Sequence, residues 1–87
     1  MSTQKYFPYV NDNIFAENVA LADIAKQVDT PFYCYSNTAI SENYQAYQQA
    51  FSSALPEQET LICYAVKANG NQAVLSTLAK LGSGADV

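Results

Sequence analysis

The chain has 87 residues and contains no histidine and no arginine. Without histidine it can form neither a Ser–His nor a Cys–His pair, and no metal-ligand cluster is legible. Without arginine it has no planar fork to clamp a carboxylate through two parallel hydrogen bonds. Lysine is scarce as well. The four basic residues face eight acidic ones, for a net charge of −4. Phosphate backbones and anionic membranes select clustered positive charge, so neither nucleic acid nor a membrane surface is an expected partner. Long apolar runs are missing too: the longest is Leu61 to Val66, far short of a membrane span. The segment Met1-Ser2-Thr3-Gln4-Lys5 lacks the apolar core of a secretory leader, and the expected location is the cytoplasm. Cysteine is limited to Cys34 and Cys63, with no CxxC spacing. Both sit among apolar neighbours in β-rich stretches and are expected to be buried free thiols. Repeats, low-complexity segments and an interdomain linker are also absent from the sequence.

What is present is apolar and aromatic. Hydrophobic residues make up 49% of the chain and aromatics 13%, which excludes the low-hydrophobicity, high-charge signature of disorder. A chain of 87 residues is at most one small domain. It buries only roughly 60–65% of its unfolded surface, enough for a marginal fold. Tyr6, Phe7, Tyr9 and Phe15 crowd the first twenty residues with more aromatic surface than so small a core can cover. The segment from Tyr9 to Phe15 reads as a hairpin turning at Asn11-Asp12-Asn13. Leu21, Ile24, Ala25 and Val28 fall on one face of a short helix, which Asp29-Thr30-Pro31 ends. Phe32 to Tyr35 reads as a strand. Ser36, Asn37 and Thr38 are capping candidates for a helix whose stripe is Ile40, Tyr44, Tyr47, Phe51 and Leu55. That stripe is expected to face the core. Pro56 stops the helix, and Glu57-Gln58-Glu59 forms a solvated connection.

Leu61 to Val66 then reads as a buried strand that delivers Lys67 to its carboxyl end. Asn69-Gly70-Asn71 makes the turn, and Asn71 can cap the next helix. Val74, Leu75, Leu78 and Leu81 form that helix's face, and Gly82 is a left-handed stop. Ala85-Asp86-Val87 begins another strand. Strand, helix, strand, helix, strand implies βαβ units and a parallel sheet. Such a sheet needs cover on both faces, and the chain stops on a strand, so it is expected to be incomplete.

Two residues could carry chemistry. Lys67 leaves a packed strand at the end of the sheet where α/β sites are built. Partial desolvation or a nearby cation would free its lone pair for nucleophilic work. The plain alternative is a strand-terminal lysine snorkelling to water. Asp86 would lie beside it on a parallel neighbour. Its carboxylate could orient the amine, although it would also favour the charged ammonium. The plain alternative here is a capping or turn aspartate. Gly82-Ser83-Gly84 matches neither phosphate-loop pattern.

Three blocks carry a family resemblance. Thr30-Pro31-Phe32-Tyr33-Cys34-Tyr35-Ser36, Tyr64-Ala65-Val66-Lys67-Ala68-Asn69 and Leu81-Gly82-Ser83-Gly84-Ala85-Asp86-Val87 resemble the N-terminal part of the diaminopimelate decarboxylases. These are alanine-racemase-like, barrel-type pyridoxal-phosphate enzymes. The resemblance runs from about Phe7 onward. Its middle block belongs to the barrel-type decarboxylases as a whole. The flanking blocks favour the diaminopimelate branch over ornithine or arginine decarboxylases, and a barrel-type decarboxylase acting on a diamine precursor such as carboxynorspermidine is the second enzyme reading. It implies an α/β fold: the first units of a (β/α)8 barrel over residues 31–87, preceded by residues 1–30 packing with a β-rich second domain. It implies pyridoxal 5'-phosphate held on Lys67 as a Schiff base. Ala65 would lie on the same strand and side, beneath the cofactor, and Asp86 on the next strand close to the amine. It also implies an amino-acid substrate and a homodimer. The family's catalytic cysteine, expected from a partner subunit, matches neither Cys34 nor Cys63. The phosphate loop, the acidic partner of the ring nitrogen and the substrate arginines would lie beyond Val87. The 87-residue chain alone is therefore expected to be inactive. A non-enzyme alternative is a truncated module that self-associates through exposed strand edges.

Overall fold

The computed structural model describes residues 3–87. Met1 and Ser2, the start of the segment lacking a leader's apolar core, lie outside the described residues. The chain divides into two compact units, Met1–Ala39 and Ile40–Val87.

The first unit opens with a single helical turn, α1 (Thr3–Tyr6), and continues as an antiparallel meander. Its strands are β1 (Tyr9–Val10), β2 (Asn13–Ala16) and β3 (Val19–Ala20), ordered β1-β2-β3. Tyr9 pairs with Ile14 and Val10 with Asn13, so the first turn is Asn11-Asp12 and Asn13 already belongs to β2. Both turn residues have positive φ, 52° and 66°. A two-residue hairpin of the right twist needs that conformation, and Asn and Asp tolerate it. The second turn is Glu17-Asn18, with Ala16 paired to Val19. Glu17 also has positive φ, 54°. A long side chain rarely adopts it unless its surroundings hold it there.

Helix α2 (Leu21–Val28) has the expected extent. Asp29 follows at φ 62°, its N–H on the Ala25 carbonyl at 3.0 Å, and Pro31 comes after a cis peptide. Phe32 to Tyr35 corrects the sequence reading: the stretch has no regular secondary structure, and no strand among the described residues pairs with it. β-propensity describes fitness for a pleated surface and does not make a strand without a neighbouring ladder. Cys34 on this stretch is accordingly only half-buried.

Helix α3 (Asn37–Ala54) begins at the end of the first unit and continues in the second. Its stripe is the second correction. Tyr44 is 7% exposed, but Tyr47, Phe51 and Leu55 are 65%, 45% and 39% exposed. Eighteen helical residues extend about 27 Å. The strands of this unit have three residues each and extend only about 10 Å. The unit therefore covers the first turns of the stripe and leaves the rest bare.

The remainder of the second unit is one βαβ element. β4 (Cys63–Ala65) leads through a 3-10 turn (Val66–Ala68) into α4 (Gln72–Lys80) and on to β5 (Gly84–Asp86). β4 and β5 are parallel, as the alternation implied. Asn71 caps α4 by accepting the Ala73 N–H at 2.9 Å. Gly82, at φ 99°, takes the left-handed stop. Tyr44, Val74 and Leu78 are buried together, with Ile40, Ile62, Tyr64 and Leu81 packed around them. β4 is shorter than the expected run from Leu61 to Val66: Leu61 is exposed and Val66 has entered the turn. A strand extends only as far as its ladder, and β5 offers three residues. Cys63, expected to be buried, is exposed for the same reason.

Candidate functional site

The parallel pair fixes where the candidate residues stand. Its register couples Cys63 with Gly84, Tyr64 with Ala85, and Ala65 with Asp86. Side chains alternate across a strand, and paired residues of neighbouring strands share a face. Tyr64 and Ala85 therefore face one way, Ala65 and Asp86 the other. The Tyr64 face looks onto α4 across a cavity of about 300 Å³, lined by Tyr64, Val66, Leu75, Leu78, Ala79 and Ala85 among others. Its walls are apolar, which suits packing and offers nothing to a charged ligand. On the other face the sheet is closely fitted at its start. A Cβ at Gly84 would lie 2.8 Å from Cys63 Sγ and 3.2 Å from Leu61 Cδ2.

Lys67 stands two residues past Ala65, inside the 3-10 turn at the carboxyl end of β4. The expected placement at this end of the sheet agrees with the structure. The expected alternation does not carry over: Ala65 is the last strand residue, so strand periodicity no longer relates it to Lys67. Asp86 lies level with Ala65 rather than with Lys67. Lys67 is exposed, and among the described residues no hydrogen bond or ion pair engages its amine. Ala65 is half-buried and small. Ala65 and Asp86 thus stand side by side at the carboxyl end of the pair, with the exposed amine of Lys67 two residues further along the chain.

The turn that carries Lys67 is tied at both ends. Tyr64 Oη donates to the Asn69 carbonyl at 2.9 Å, and the Asn69 N–H reaches the Val66 carbonyl at 3.2 Å. Asn69 Oδ1 accepts the Asn71 N–H at 3.0 Å, which joins the turn to the cap of α4. By contrast the Gly82-Ser83-Gly84 segment serves the fold. Ser83 Oγ lies 2.7 Å from the Gly84 carbonyl and 3.3 Å from the Ile62 carbonyl, both hydrogen-bond acceptors.

Two features escaped the sequence reading. Glu17 Oε2 accepts from Ser36 Oγ at 2.6 Å and from the Thr38 N–H at 3.0 Å, while Ser36 Oγ accepts the Ala39 N–H at 3.0 Å. Ser36 was legible as a cap, but a partner nineteen residues upstream leaves no periodic trace. The Tyr64–Asn69 bond also follows no helix or strand spacing.

An amine that is to hold an aldehyde cofactor must be reachable and uncommitted, with room for a ring beside it. Lys67 meets the first two conditions, being exposed and without a partner among the described residues. The sulfhydryl of Cys63 stands near Gly84, at the opposite end of the ladder from Asp86.

Comparison with known proteins identifies the family. The family described as pyridoxal-dependent decarboxylase, pyridoxal binding domain, matches residues 37–87. A diaminopimelate decarboxylase from Vibrio cholerae is 47% identical over 83 residues, which are 94% of this chain and 19% of that protein. One from Aquifex aeolicus is 43% identical over 82 residues, covering 94% and 18%. A crystal structure of the M. jannaschii diaminopimelate decarboxylase, in complex with L-lysine, superposes with a TM-score of 0.91 at 35% identity. It covers all of this chain and 20% of that one. The chain thus spans about a fifth of the length of the relatives it matches. The match takes in β4, the Lys67 turn, α4 and β5, and the chain belongs to the pyridoxal-dependent decarboxylase family through its pyridoxal binding domain.

Proposed function

We propose that the chain is the N-terminal part of a decarboxylase that converts meso-2,6-diaminopimelate to L-lysine and carbon dioxide. In this reading residues 31–87 supply the first units of a (β/α)8 barrel, and residues 1–30 pack with a β-rich second domain. The parallel β4-α4-β5 element supports the first assignment, and the antiparallel meander supports the second. The substrate follows from the relatives, which carry that name at 37–47% identity. A homodimer in the cytoplasm, acting on a small amino acid without nucleic acid or membrane, completes the proposal.

The observation that carries the reading is the Lys67 amine, exposed and uncommitted at the carboxyl end of a parallel pair. Lys67 Nζ would hold pyridoxal phosphate through the cofactor's aldehyde carbon. When bound, the cofactor supplies an electron sink for the pair left behind as carbon dioxide departs. Lys67 would be the group that the substrate's α-amine displaces and that takes the cofactor back after product release. Ala65 would lie beneath the cofactor, and Asp86, paired with it on the next strand, would stand close to the amine.

The test is substrate turnover by the full-length enzyme with cofactor added. Release of carbon dioxide from diaminopimelate should far exceed that from ornithine, arginine or carboxynorspermidine. The 87-residue chain should release none, because it has no arginine to clamp a substrate carboxylate. Preference for ornithine would overturn the substrate, and turnover by the short chain would overturn the assignment of the remaining groups to other segments.

A further inference from the structure

We propose that Tyr64 is a positioning residue that holds the Lys67 turn in place through its hydroxyl. The proposal rests on the reading that Lys67 is the attachment point of the cofactor. Lys67 lies in a 3-10 turn, whose hydrogen-bond geometry is poorer than that of an α-helix. The backbone bond that ends that turn, Asn69 N–H to the Val66 carbonyl, is long at 3.2 Å. No described residue grips the Lys67 side chain. The direction of the amine is therefore set by the backbone beneath it.

Tyr64 is built to fix that backbone. Its ring packs against the buried Tyr44, Val74 and Leu78. Its hydroxyl crosses to the Asn69 carbonyl at 2.9 Å, closing residues 65–68 into a loop pinned to the core. On the far side Asn69 Oδ1 takes the Asn71 N–H, and Asn71 Oδ1 takes the Ala73 N–H. Asn69 is thus held between a core-anchored phenol at its carbonyl and the cap of α4 at its side chain. A core tyrosine with a merely satisfied hydroxyl would affect stability alone. Positioning makes a different demand, because displacing a reacting group by about 1 Å can cost on the order of a hundredfold in rate.

The experiment compares the full-length enzyme with its Tyr64→Phe and Glu17→Ala variants. Phenylalanine keeps the ring and removes only the hydroxyl. In cofactor-free protein, amide hydrogen exchange of the peptide spanning residues 65–71 should quicken about three- to tenfold in Tyr64→Phe, the loss of one hydrogen bond. On adding pyridoxal phosphate, covalent attachment should slow by about ten- to a hundredfold per folded molecule. Borohydride should still fix the label on Lys67. Glu17→Ala, which removes a cap distant in sequence from the turn, should lower the Tm and leave the attachment rate per folded molecule unchanged. Attachment at the wild-type rate in Tyr64→Phe would overturn the proposal, as would an equal slowing in Glu17→Ala. Wild-type label on a lysine other than Lys67 would instead overturn the underlying site reading. The position of the label separates the two failures.

Discussion

Residues 9–20 and residues 63–86 each build a small sheet, and they treat their charged side chains in opposite ways. The first sheet is antiparallel, joined by two-residue turns, and every strand pairs with a neighbour in sequence. Its distinctive carboxylate, Glu17, is committed. It sits at positive φ and binds the Ser36 hydroxyl and the Thr38 N–H. That arrangement caps α3 and places negative charge at a helix N-terminus, where it is favourable. The second sheet is parallel and needs a helix to return the chain. Its distinctive cation, Lys67, is committed to nothing among the described residues, although the turn beneath it is hydrogen-bonded on both sides. Fold-bearing charge is consumed locally. Charge available for chemistry stands on a rigid backbone with its functional atom open.

Breaking the second half of this contrast should give the largest effect. Lys67→Ala in the full-length enzyme should lower kcat by about a thousandfold or more, since it removes the nucleophile. Circular dichroism should show an unchanged fold, because the side chain supports nothing. Loss of fold together with activity would place Lys67 in the same class as Glu17. Next in size is Leu78→Ala, which removes a buried side chain from the small core around Tyr44 and Val74. It should cost about 2–3 kcal/mol in denaturant unfolding.

Gly84→Ala should cost about 1–3 kcal/mol, because the added methyl meets Cys63 Sγ at 2.8 Å. Cys63→Ala in the same protein should restore most of that loss, and an additive double variant would show that the sulfur is not the obstacle. Glu17→Ala sharpens the other half of the contrast. It should cost about 1–2 kcal/mol through the lost cap while leaving covalent attachment at Lys67 unchanged. The smallest effect belongs to the first turn. Asp12→Gly should stabilise by about 0.4–1 kcal/mol, because glycine occupies φ 66° without steric cost.

The sequence was most informative where structure is local. The hairpin at Asn11, helix α2, the Asn71 cap and the Gly82 stop all follow from turn chemistry or periodicity within a few residues. The parallel β4–β5 pair followed from alternation, and Lys67 from its place after an apolar run. What eluded the reading depends on partners. Phe32 to Tyr35 has strand-forming residues but no described ladder. Tyr47, Phe51 and Leu55 continue a periodic stripe past the core that this unit builds. The bonds from Glu17 to Ser36 and from Tyr64 to Asn69 join residues at separations that no secondary-structure period marks.

Reductive trapping tests the role of Lys67 most directly. The full-length protein is loaded with pyridoxal phosphate, reduced with borohydride, digested and mapped by mass spectrometry. The cofactor mass should appear on the peptide containing Lys67 and on no other. Label on Lys26 or Lys80, with Lys67 unmodified, would contradict the assignment of that turn as the attachment site.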